Sequence, residues 1–203
     1  MDIQLNNIGK RFNREWIFRH IDYRFTSGKC YAVTGSNGSG KSTLLQVIAG
    51  SLTHNEGQIS FKTADRTIPG ENWFKHISIA APYLELIEEM TAMEMLRFHA
   101  RFKDLVLTET EILKTVGLEK AQNKQIRYFS SGMKQRLKLA QAFFSKTPLL
   151  LLDEPTTNLD EDGCALYHYL IKNLTKGRLV IISSNDKQEY DFCGEVIEVG
   201  KYR

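Results

Sequence analysis

The chain has 203 residues, 42% of them hydrophobic and 25% charged, with a formal net charge of +3, the balance of an ordinary soluble, single-domain globular protein. No apolar run reaches the length of a membrane span, and the opening MDIQLNNIGK lacks the charged start and apolar core of a secretion signal. Three widely spaced cysteines, Cys30, Cys164 and Cys193, predict reduced thiols in the cytosol rather than a disulfide frame or a zinc knuckle, and the basic run Lys124, Arg127, Lys134, Arg136 and Lys138 reads as a solvated helix face, with no nucleic acid expected as a partner.

In chain order, Ile21, Tyr23 and Phe25 alternate with Asp22 and Arg24, the pattern of an antiparallel strand. A turn at Ser27-Gly28-Lys29 leads into an apolar strand, CYAVTG, and then to SNGSGKS and a helical TLLQVIAG that Gly50 closes. NEGQISF and HISIA predict two more strands. Thr91 with Glu94, and Thr108 with Glu111, have capping-box spacing, and Gly117 ends the second of these helices. A third helix is predicted from Ser130 or Ser131 to about Ser145. Pro148 breaks it, LLLLD reads as a fully buried strand, and DGCALYHYLIKNLTKG as an amphipathic helix ending at Gly177. RLVIIS, a short helix and EVIEVG complete the chain. Strands alternating with helices predict an α/β fold with a mostly parallel sheet covered on both faces.

Residues Gly35 to Ser42, GSNGSGKS, match the phosphate-binding pattern G-x-x-x-x-G-K-[ST] between a strand and a helix. Gly35, Ser36, Asn37, Gly38, Ser39 and Gly40 would turn successive backbone N–H groups toward phosphate oxygens, and the helix beginning near Lys41, Ser42 and Thr43 adds its positive end. Lys41 would reach the β- and γ-phosphates of ATP, and the Ser42 hydroxyl would bind Mg²⁺. LLLLDEP puts Asp153 and Glu154 at the carboxyl end of a buried strand, where open α/β sheets bind ligands. Asp153 suits Mg²⁺, and Glu154 suits orienting or deprotonating an attacking water, which favours a hydrolase over a phosphotransferase.

Between these motifs lies YFSSGMKQRLKLAQAFF, residues 128–144, whose Leu137, Ala140, Phe143 and Phe144 would face a core. With the phosphate loop before it and LLLLDEPTTNLD after it, this segment resembles the signature of ABC-type ATPases, the nucleotide-binding domains of ABC transporters. Their pattern is Leu-Ser-Gly-Gly-Gln; here Ser130 and Gly132 match, while Phe129, Ser131 and Met133 depart. The resemblance runs over almost the whole chain. It implies a single P-loop NTPase (RecA-like) domain over residues 1–203, with an N-terminal antiparallel β subdomain at about 1–27 and 57–70 and an inserted helical subdomain at about 88–145.

The resemblance also implies a head-to-tail dimer, with the same chain or a second ABC ATPase subunit, in which Ser130, Ser131, Gly132 and Met133 bind the ATP of the partner. Asn158, Leu159 and Asp160 would carry communication across the dimer. Phe12, or Trp16 as runner-up, would stack on adenine. Two departures stand out. Ala81 or Pro82 occupies the place of the family's glutamine after HISIA, with Glu85 the nearest polar residue, and Asn185 stands where the family has a histidine that contacts the γ-phosphate. The function implied is an ATP-hydrolysing transporter subunit, slowed by Asn185, that works through a separate transmembrane permease on the cytoplasmic face of the cell membrane. The wording SSGMKQRLKLA favours an export-type system. A soluble ABC-type ATPase, for example in iron–sulfur assembly, a weakly hydrolysing nucleotide-gated clamp and a haem-export subunit remain as alternatives.

Overall fold

The computed structural model describes residues 1–63 and 66–203. The chain opens with a hairpin, β1 (Asp2–Phe12) and β2 (Glu15–Phe25), paired antiparallel from Ile3 opposite Phe25 to Phe12 opposite Glu15. On the inner face of β2, Ile21 and Phe25 are buried while Asp22 and Arg24 are exposed, so the period-two pattern works as expected. β3 (Cys30–Thr34) follows, and then α1 (Lys41–Ala49), closed by Gly50 in the left-handed conformation. β4 (Glu56–Lys62) and the short β5 (Thr67–Ile68), which the sequence pattern does not reveal, extend the hairpin into a four-stranded antiparallel sheet ordered β2-β1-β4-β5.

β6 (Ile77–Ala80), β7 (Leu149–Asp153), β8 (Leu179–Ser183) and β9 (Glu195–Glu198) join β3 in a five-stranded sheet ordered β6-β7-β8-β3-β9, parallel throughout. Between β6 and β7 the chain forms α2 (Ala92–Ala100), α3 (Glu109–Thr115) and α4 (Ser131–Phe144). Both predicted capping boxes are present. Glu94 N donates to the Thr91 hydroxyl at 3.2 Å and Thr91 N to the Glu94 carboxylate at 2.8 Å, and Thr108 and Glu111 repeat the exchange. The last helix, α5 (Glu161–Leu174), stops short of Gly177: Thr175 is its C-terminal cap, with its hydroxyl on Ile171 O at 2.6 Å, and Gly177, at a φ of 79°, serves the turn that Arg178 N closes on Thr175 O.

The parallel sheet separates two apolar layers. Leu150, Leu152, Val180 and Ile182 pack with α2 to α5, while Leu149, Leu151, Leu179 and Ile181 pack with α1 and the antiparallel sheet. Both faces are therefore covered, which explains why LLLLD and LVII are continuous apolar runs rather than alternating ones.

The cysteine expectation is overturned for one pair. Cys30 opens β3 and Cys193 stands just before β9, and the pairing of these strands brings the two Cα atoms to 4.7 Å with the sulfurs bonded, across 163 residues of chain. Sequence distance concealed that proximity. Cys164 alone is free.

At the amino end of β8, Arg178 closes the far edge of the sheet. Its guanidinium donates to Phe143 O at 2.9 Å, Ser78 Oγ at 2.7 Å and Thr147 Oγ1 at 2.9 Å, tying the end of α4 to β6 and β7. No carboxylate faces it among the described residues, and burial pulls its pKa down to about 10. Replacing Arg178 by Ala leaves these buried acceptors short of a donor, at a cost of about 1–3 kcal/mol. Urea unfolding should show a lower midpoint with an unchanged slope.

Candidate functional site

The site is assembled on the carboxyl edge of the parallel sheet. In the sheet register Asp153 of β7 lies opposite Ser183 of β8, and Ser183 lies opposite Val33 of β3. The three chain segments that leave these positions, Gly35–Ser42, Glu154–Asp160 and Ser184–Asp186, therefore emerge side by side.

The phosphate loop is held open by its own side chains and by glycine geometry. Lys41, only 6% exposed, folds back so that Nζ donates to Gly35 O at 2.9 Å and Ser36 O at 3.4 Å. Gly40 caps α1 with φ of 100°, with no side chain bonding the first-turn N–H groups. Those N–H groups are left for a ligand, and a helix N-terminus is a natural place for an anion. A Cβ at Gly40 would sit 2.4 Å from Ile17 Cγ2, so only glycine fits.

A cavity of about 280 Å³ lies against the loop, lined by Ile17, Asn37, Gly38, Gly40, Lys41, Ser42, Thr43 and Glu154. Lys41, Ser42 and Glu154 thus face one space. Ile17 supplies an apolar wall that its place in an alternating strand did not announce. Phe12 and Trp16 do not line this cavity: Phe12 is exposed beneath the Lys10 ammonium, and Trp16 stacks against Arg19, 4.1 Å from ring to guanidinium. The amide of Asn185 reaches the loop from the other side, Nδ2 donating to Asn37 Oδ1 at 2.8 Å.

Buried polar atoms without a hydrogen-bond partner collect in this region. Ser39 Oγ, Asp153 Oδ1 and Ser183 Oγ are three of the four found among the described residues. An orphaned carboxylate oxygen on Asp153, which is 1% exposed, is what a Mg²⁺ site with one protein carboxylate and phosphate ligands requires. The residues present fit that ion. Tyr83, singled out by no motif, lies close enough to feel Asp153; burial and then the Asp153 carboxylate push its phenol up to about 12.

The segments assigned to a signature role lie elsewhere. Ser130 caps α4, its hydroxyl accepting from Met133 N at 3.2 Å. Ser130, Ser131, Gly132 and Met133 line a second cavity of about 480 Å³ together with Asn158 and Asp160, and it shares no residue with the first. A Cβ on Gly132 would stand 3.0 Å from Asn158 O, so the two segments touch through backbone. Leu159 packs against the helical core. Asp160 caps α5 by accepting from Gly163 N at 2.9 Å, and also takes the Arg136 guanidinium at 2.9 Å. The Gly163 amide, then Arg136, hold its carboxyl below the usual range. Where the family's glutamine is absent, Lys138 of α4 donates to Ala81 O and Pro82 O at 3.3 and 3.0 Å, and Glu85 lines a separate cavity with Lys134 and Lys138.

Replacing Gly40 by Ala forces the Ile17 contact and a strained φ on the loop. Titration with a fluorescent ATP analogue should show affinity weakened by at least about tenfold, or about 1.4 kcal/mol. Adding Ile17→Ala should recover part of the loss, because the collision goes while the backbone strain stays.

Residues 18–157 match the model of the ABC transporter family. The chain is 34% identical to the uncharacterized ABC transporter ATP-binding protein YybJ of Bacillus subtilis (strain 168), over 99% of this chain and 94% of that protein. It is 30% identical to the linearmycin resistance ATP-binding protein LnrL of the same organism, over 98% of this chain and 68% of the relative. Among solved structures, the dimeric post-hydrolysis state of the ATP-binding cassette MJ0796, bound to ADP and Pi, superimposes with a TM-score of 0.83 at 23% identity, covering 98% of this chain and 95% of that one. The fold is thus that of ABC cassettes, a P-loop NTPase core with an antiparallel β part, and the chain belongs to the ABC transporter family as one of its ATP-binding ATPases.

Proposed function

We propose that this chain couples ATP hydrolysis to transport through a separate transmembrane subunit, working as a dimer of cassettes that closes on ATP and reopens after hydrolysis. The reading rests above all on one observation: Lys41, Ser42 and Glu154 line one cavity on the loop that Asn185 also touches. In this reading Gly35 to Thr43 bind the triphosphate, Lys41 turns from its backbone carbonyls to the β- and γ-phosphates, and Ser42 and Asp153 hold Mg²⁺. The bound ion would neutralise charge on the phosphates. Glu154 orients the attacking water and accepts its proton.

The second cavity supports the dimeric part of the reading. Ser130 to Met133 open a helix whose N-terminus can face the γ-phosphate of a partner subunit, and Asn158, Leu159 and Asp160 adjoin it. The segment from Ala81 to Met90 and the helices up to α4 would pass motion to the permease. No helix among the described residues is long and apolar enough to cross a membrane. Attachment to the cytoplasmic face would then come through the permease. LnrL, by its name, serves linearmycin resistance, which agrees with an export-type system here.

Asn185 bears on rate. A neutral amide keeps a donor for the γ-phosphate but gives up the charge that a histidine can carry. Hydrolysis should therefore be slow but present. Steady-state ATPase measurements on the purified chain should show Glu154→Gln losing about 10²-fold or more of the parental rate, the size expected for a group acting directly on the transition state. Asn185→His should raise turnover several-fold. Equal rates for the parent and Glu154→Gln would sink the assignment of Glu154, and an unchanged Asn185→His would remove Asn185 from the γ-phosphate.

A further inference from the structure

Glu154 has a backbone φ of 43°, in the left-handed region that a residue with a side chain seldom occupies. Such a conformation persists only where neighbours over-determine it, and here three elements do so. Glu154 N donates to Ser183 O of β8 at 2.9 Å. One residue on, Pro155 O accepts from the side-chain amide of Gln135 of α4 at 2.7 Å. At the next residue, the Thr156 amide and hydroxyl both donate to the Glu189 carboxylate, the amide at 2.6 Å.

Gln135 and Glu189 are both only 4% exposed, an unusual setting for these residue types without a specific partner. Glu189 is itself pinned. Its N–H donates to Asp186 O at 3.1 Å, and its carbonyl accepts from the buried Tyr167 hydroxyl at 2.7 Å. It stands in the single helical turn Lys187–Glu189 that follows Asn185. Gln135 sits in the first half of α4, beyond the segment Ser130 to Met133. Neither side chain lines the phosphate-loop cavity.

We propose that Gln135 and Glu189 are positioning residues that clamp Pro155 and Thr156 and so hold Glu154 in its left-handed conformation, aiming its carboxylate into the phosphate cavity; this rests on the reading of Glu154 as the group that orients water. The clamp also joins three parts of the molecule at one tripeptide. The signature helix holds its middle residue, and the turn after Asn185 holds its last. A movement of α4 reaches Glu154 through Pro155, and a movement of the turn reaches it through Thr156 and Pro155.

The test is a set of steady-state ATPase and ATP-analogue binding measurements on the purified chain. Glu189→Ala and Gln135→Ala should each lower kcat by about 10- to 100-fold, the scale of misplacing a reacting group by an ångström or less, with KM for ATP within about twofold. Glu189→Gln should restore most of kcat, since both Thr156 bonds end on one oxygen, Oε1, which an amide can replace. Placed in the Glu154→Gln background, Glu189→Ala should add no further loss, because both changes disable the same unit. Equal losses in the two backgrounds, or a raised KM at parental kcat, would make the contact merely structural and overturn the proposal. If Glu189→Ala does not fold, Thr156→Val removes the hydroxyl bond alone and must lower kcat with the same signature. Parental turnover in Glu154→Gln overturns the reading of Glu154 and the clamp with it. A slow Glu154→Gln beside Ala variants at parental rate overturns the clamp alone.

Discussion

The parallel register of three strands governs everything at the site. Asp153 opposite Ser183, and Ser183 opposite Val33, fix the heights at which β7, β8 and β3 end. Because each strand is buried on both faces, a slip of one residue would drive side chains of one apolar layer into the other. The register is thus enforced by the cores, and the polar edge inherits its precision from them. Phosphate loop, acidic tip and Asn185 are neighbours because Leu149 to Leu152 and Leu179 to Ile182 leave no other fit.

Much of this was legible in the sequence, for local reasons. A glycine-rich loop between strand and helix, an apolar run ending in Asp-Glu, and two Thr-x-x-Glu boxes each carry their signal within a few residues. What stayed hidden depends on contacts between distant segments. Gln135 lies in the basic stretch MKQRLK, which reads as a solvated face, yet it is buried against Pro155. Ile17 looks like any strand residue until Gly40 closes on it. Cys30 and Cys193 looked unrelated because pairing of β3 with β9 is invisible in spacing. Phe12 was singled out by its place before the loop; the sequence did not announce that its exposed ring would lie under the Lys10 ammonium.

The two departures from the family pattern have structural counterparts. Where a glutamine is missing, Lys138 of α4 donates to the backbone carbonyls of Ala81 and Pro82, which joins the helical layer to the segment after β6. Where a histidine is missing, Asn185 bonds Asn37 amide to amide. That bond involves no titrating group, so it holds with the same strength across the pH range in which an imidazole would change charge.

The spacing of the edge strands along the chain has a consequence for biosynthesis. The phosphate loop is complete by residue 42, but the strands that flank β3 in the sheet, β8 and β9, come only from Leu179 onward. During synthesis the loop therefore exists for most of the chain's length without the neighbours that complete its cavity. Non-local parallel pairing of this kind closes late, after the loop-entropy cost of the intervening chain has been met. A ribosome-bound fragment ending before β7 would carry the phosphate-binding sequence without Glu154 or Asn185 to face it.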